Sequence, residues 1–277
     1  MRILMVVLLV VVLGGCARHV AYPATPFGEA LKEFYEAGDL EALSVLWDVH
    51  GSIDPADASK LKATMLAILQ QDVSSDRALL VATILLARDH TTVDSAEFRA
   101  MLPATVKGLR RSNSLPWFPW FGYRWSACAS AELLEMMGPE VAAGCGEAVG
   151  KRFNAPGSQI GYESPETYTL YFLGGLLPGY GKEGVAALVQ GLSNKEPAVR
   201  QLALEGLAVA AGGKKLIGET AEGWQLSAER REEGRQAALE AGKSPAVRER
   251  LAALWKEPGN KERAEEVMKA LGVAVAQ

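Results

Sequence analysis

The apolar positions of this chain fall into two regimes. Ile3 to Leu13 is one uncharged apolar run behind Arg2, and from Phe27 onward apolar residues recur at helical spacing. Phe27, Leu31, Phe34 and Tyr35 share one face, and Gly38-Asp39 breaks it. Leu40, Leu43, Leu46 and Trp47 follow on a second helix that Asp39 can cap. Asp54-Pro55 opens a further helix with proline in its first turn. Ser75 or Asp76 opens another, whose run from Ala78 to Ala87 lies between Arg77 and Arg88. That run is too short to cross a bilayer and predicts a helix buried on most sides. Runs alternating with period two are scarce, so the expected class is all-α.

One helix start recurs. Pro197-Ala198-Val199-Arg200 returns as Pro245-Ala246-Val247-Arg248, 48 residues later. Related starts surround Arg77 and Arg124, and a degenerate one is Ser164-Pro165-Glu166-Thr167-Tyr168, where Tyr168 takes the arginine's place and Gly174 matches Gly206. The markers Arg77, Arg124, Tyr168, Arg200 and Arg248 are spaced by 47, 44, 32 and 48 residues. A first helix precedes each, as over 98–106 or 184–192, then a polar turn such as Ser193-Asn194-Lys195, then a proline-opened second helix. Segment 182–211 resembles a HEAT repeat, and the resemblance covers residues 55–272, carried by 94–138 and 182–257. It implies an irregular HEAT-like α-solenoid of stacked helical hairpins, set against a compact non-repetitive helical domain. Residues 34–43 also look like the turn of a single tetratricopeptide hairpin.

The early apolar run has the length and place of a secretory core segment and ends in Leu13-Gly14-Gly15-Cys16. That ending resembles the lipobox of bacterial lipoproteins. The resemblance implies cleavage before Cys16, a lipid on Cys16 and sorting to an outer membrane, facing the periplasm, in a cell that has one, because Ala17 rather than aspartate follows. The expected organisation is a signal peptide over 1–15, the lipidated cysteine and an extended tether over 16–26, and a helical-repeat domain over 27–277.

Charge and cysteines narrow the picture further. Without residues 1–15 the balance is 28 Lys+Arg against 33 Asp+Glu, a net −5. Nucleic acid rewards clustered positive charge, so it is not expected as a partner. The mixed run Glu229-Arg230-Arg231-Glu232-Glu233-Gly234-Arg235 reads as a solvated helix face. An oxidising compartment permits a disulfide between Cys128 and Cys145, while the small residues around both equally suit buried free thiols.

The candidate binding residues are aromatic. Trp117, Phe118, Trp120, Phe121, Tyr123 and Trp125 crowd nine positions behind two prolines, where a repeat has only a short turn. They suit a binding surface for a peptide, a glycan or a partner's apolar side chain, or else a plug over the helices. Tyr162, Tyr168, Tyr171, Phe172 and Tyr180 form a second group whose helical spacing suggests a core stripe; the two groups together would make a groove.

Signals for catalysis are weak. Gly144-Cys145-Gly146-Glu147-Ala148-Val149-Gly150 fits a loose dinucleotide pattern, but no strand leads into it, and helix packing explains its glycines better. Ser59-Lys60-Leu61-Lys62 has the spacing of a serine–lysine pair without its partner motif. His19, His50 and His90 are isolated, so no metal or cofactor is expected. The expectation is a non-enzymatic, lipid-anchored envelope scaffold or assembly factor that binds another envelope protein. The alternative is a peptide-, glycan- or small-ligand-binding protein, or an enzyme, working in the aromatic groove near 117–125.

Overall fold

The computed structural model describes residues 20–39, 41, 42, 45, 55–71, 77, 81, 95–110, 127–157, 160, 161, 164–213 and 226–274. Every regular element among them is helical, with no strand, so the chain is all-α. It divides into two units, Met1–Asp72 and Val73–Gln277.

In the first unit α1 spans Pro26–Lys32 and continues as one π turn, Glu33–Ala37. Thr25 caps its start by accepting from Gly28 N, with proline at the first position. Gly38 ends it in the left-handed region at φ 77°, which only glycine adopts without a Cβ penalty. Leu31 and Phe34 are fully buried, as the apolar spacing requires. The Asp39 carboxylate accepts from Glu41 N at 2.9 Å, and Leu40, Leu43, Leu46 and Trp47 of the helix it is expected to cap lie outside the described residues. Helix α2, Pro55–Gln71, starts at the expected proline and buries Leu61, Met65 and Ile68, one helical stripe.

The second unit holds α3 (Ser95–Leu109), α4 (Ala127–Val141), α5 (Gly146–Asn154), α6 (Pro165–Leu176), α7 (Gly181–Gly191), α8 (Pro197–Ala210), α9 (Ala228–Lys243), α10 (Pro245–Trp255) and α11 (Lys261–Ala270). Each of the helix starts predicted at Pro165, Pro197 and Pro245 is a helix's first residue. Packing alternates along the chain. Successive odd-numbered helices from α3 to α9 lie on one another, and so do α4, α6 and α8; each odd helix also packs on the even helix after it. The order changes at the end, where α11 rather than α10 lies beside α8, with α10 between α9 and α11.

Small residues set the helix separations. A Cβ on Gly150 of α5 would stand 2.7 Å from the Cβ of Ala187 on α7, closer than carbon atoms tolerate. One on Gly206 of α8 would stand 2.5 Å from Leu188 Cδ2. Gly150 thus serves helix packing, the reading preferred over a phosphate-binding loop.

Candidate functional site

The corners between paired helices carry the recurring polar contacts. Arg200, one turn into α8, donates through Nη1 to the carbonyls of Asn194 and Lys195, both at 3.0 Å. Arg248, at the matching place in α10, donates through Nε to the carbonyl of Gly242 at 2.8 Å. Both reach a carbonyl six residues upstream, in the turn after α7 for Arg200 and in the last turn of α9, whose carbonyls lack helical partners, for Arg248. The motif arginines therefore tie each second helix to the end of its first. Asparagines link the corners to one another: Asn154 Nδ2 donates to Ala187 O, and Asn194 Nδ2 donates to Asn154 O.

Ion pairs add longer links. Arg200 also meets Glu257 at 3.1 Å, Arg263 meets the buried Glu205 at 2.8 Å, and Arg230 meets Glu140 at 3.1 Å. Arg152 and Glu166 form a pair at 2.7 Å in which both side chains are buried, and Glu166 accepts from Gly157 N as well. Such pairs specify which helices meet more than they add net stability.

Of the residues singled out from sequence, Cys16, Trp117, Phe118, Trp120, Phe121, Tyr123, Trp125 and Tyr162 lie outside the described residues, as do the three histidines. Tyr168 is described. Its ring meets that of Tyr171 edge to face, with centroids 6.5 Å apart. Tyr168, Tyr171 and Phe172 are all half-buried, flanking the buried stripe of Leu170, Leu173 and Leu177. These aromatics stand at the edge of the core, between the two positions the spacing allowed.

Tyr180 and the cysteines belong to the interior. Tyr180 is buried in the 3-10 turn that leads into α7, and burial, then the neighbouring Cys145 sulfur, pushes its hydroxyl above the ordinary tyrosine range. Cys128 and Cys145 are both buried free thiols in this structure. Gly138 breaks the chain direction at φ 77° and ψ 168°, and Cys145 follows in a 3-10 turn, not on a helix antiparallel to that of Cys128. Burial raises the Cys145 thiol pKa, which keeps it protonated and poorly nucleophilic.

A cleft of about 640 Å³ opens between the end of α8 and the start of α9. Pro178, Val209, Ala210 and Leu226 give it an apolar lining, and Arg231, Glu232 and Arg235 stand along α9. Val209 is exposed there. Arg235 grips Glu232 through two bonds of 2.8 and 2.9 Å, and with Gln236 holds that carboxyl at a pKa of about 2. The charged run over 229–235 is solvated as expected, but one of its faces borders this cleft. The sequence carried no sign of it, because the lining comes from three separate stretches. Among the described residues no group of His, Cys, Asp and Glu has the arrangement of a metal site. Among the described residues no helix is long and apolar enough to cross a membrane.

No known protein family, no curated protein and no solved structure matches this chain.

Proposed function

We propose that this chain is a lipid-anchored envelope protein whose second unit is an irregular HEAT-like solenoid that binds another envelope protein as a scaffold or assembly factor. The observation that carries the repeat reading is the corner contact made twice, by Arg200 and by Arg248, at equivalent places 48 residues apart. The same side chain doing the same work at the same spacing supports a repeated unit more strongly than the sequence match alone. Alternating contacts between successive odd and even helices fit two layers of stacked hairpins. A surface built that way is long and open, which suits an extended protein partner. The lipid anchor rests on Leu13-Gly14-Gly15-Cys16, and the outer-membrane address on Ala17.

A ligand-binding reading is favoured by one observation, the apolar cleft beside α9. Its size lies within the range of about 300–1,000 Å³ common for small-molecule sites.

The test is to tag the C-terminus, crosslink in intact membranes and identify what is captured. Wild type is compared with a folded Trp117→Ala/Trp120→Ala variant and a folded Val209→Glu variant. One protein captured by wild type and lost from either variant supports the scaffold and locates its face. Capture of no protein, with thermal stabilisation by a small ligand that Val209→Glu abolishes, replaces it with the ligand-binding reading.

A further inference from the structure

We infer that residues 20–25 are a strap clamped onto the first unit, which holds that unit within about 15 Å of the lipid surface that carries Cys16. The inference rests on the acylation of Cys16 proposed above.

The strap is bound to α2 by one hydrogen bond and lies closely against the start of α1. The hydroxyl of Thr64, buried on α2, lies 2.9 Å from the carbonyl of Ala21 and 3.0 Å from that of Lys60, so its proton is shared across 43 residues of chain. Pro23 accepts from Thr25 N at 2.9 Å, and its carbonyl oxygen lies 2.0 Å from where a Cβ on Gly28 would stand. Only glycine at position 28 lets the strap lie there. Thr25 caps α1 from the strap side at 3.1 Å. Tyr22 is half-buried, and burial, with Glu36 next, raises the pKa of its hydroxyl.

Reach follows from the length of chain left over. An unstructured tether over 17–26 extends about 30 Å, but the clamp leaves only four Cα steps between Cys16 and Val20. Those steps span at most about 14 Å fully extended. Electrostatics does not draw the unit down. Residues 20–72 carry nine carboxylates against three lysines, a net −6, so anionic headgroups repel it. Covalent length alone sets the height. The face of the unit next to the strap therefore stays close to the headgroups.

The experiment uses the full acylated chain in phosphatidylcholine vesicles with an acceptor dye on the headgroups. A donor dye is placed by Ser59→Cys, an exposed position on α2, and energy transfer is measured. A second protein has twenty Gly/Ser residues inserted between His19 and Val20, which adds about 25 Å of reach. Mass spectrometry of the Cys16 peptide is run on both. High transfer in the donor-labelled native-length chain and a several-fold fall in the insertion variant are expected. Equal transfer in two acylated proteins overturns the strap and leaves the lipid anchor standing. An unacylated Cys16 overturns the anchor and the strap's placement together. Thr64→Val, checked for helicity, should lower transfer relative to its parent, and no change would count against the clamp. A chain that begins at Ala17, with neither the apolar run nor the acyl group, should not float with vesicles containing phosphatidylglycerol; flotation would show that adhesion, not length, sets the height.

Discussion

Asn194 donates through its side-chain amide to the backbone carbonyl of Asn154, forty residues earlier and 2.8 Å away. Asn154 directs its own amide to Ala187 O at 2.9 Å and to Gly150 O at 3.1 Å. Each asparagine stands where the first helix of a pair ends, so the two side chains join one corner to the next. Asn154→Ala is expected to lower unfolding free energy by about 1–3 kcal/mol, because two carbonyls lose a donor. Asn194→Ala should cost about 1 kcal/mol. Urea denaturation reads both, and an unchanged midpoint for Asn154→Ala would mean that the corners are held by apolar packing alone.

Gly150 and Ala187 set how closely α5 approaches α7. Gly150→Ala gains about 1 kcal/mol of helix propensity but forces a methyl to within 2.7 Å of another, a clash worth about 1–3 kcal/mol. A net loss is expected, and Ala187→Gly should recover part of it. Gly144 has nothing within 4 Å of its Cβ position, so Gly144→Ala should leave the melting temperature nearly unchanged. Calorimetry on the four proteins decides the matter; equal melting temperatures for the two alanine variants would remove steric contact as the role of Gly150.

Glu166 is buried against Arg152 and also satisfies Gly157 N. Glu166→Ala leaves a buried guanidinium without its counter-charge, at a cost of about 3–5 kcal/mol. Glu166→Gln removes the charge but keeps one acceptor oxygen, and should cost less. If the two variants unfold at the same urea concentration, loss of the charge accounts for the whole cost and the hydrogen bonding that glutamine keeps contributes nothing at this corner.

Tyr180 makes stability depend on alkaline pH. Its native pKa lies above the ordinary value of 10.0, so above that pH the unfolded chain loses the proton while the folded one keeps it. The folded state then binds more protons, and stability falls as pH rises past 10. Tyr180→Phe removes this term. Its melting temperature between about pH 10 and 12 should decline less steeply than that of the unsubstituted chain. Parallel declines would place the alkaline sensitivity elsewhere, with Tyr22 the next residue to change.

Local signals were the readable ones. Pro55, Pro165, Pro197 and Pro245 open helices where expected, and the spacing of Leu31 and Phe34 marks a buried face. Each depends on residues within one or two turns, so the sequence by itself determined that the chain is helical and where several helices begin. It also singled out Arg200 and Arg248 as equivalent before their shared contact was known. Tertiary structure decided the rest. That α11 rather than α10 lies beside α8, that Arg152 finds Glu166, that Cys128 and Cys145 are both buried and that Pro178, Val209 and Leu226 meet around one cleft are relations between distant segments. Neither helix propensity nor periodicity distinguishes one buried stripe from another as a packing partner. Side-chain volume, the absence of a Cβ at positions such as Gly150 and the satisfaction of buried donors and acceptors make that choice, and they act only once the helices are in contact.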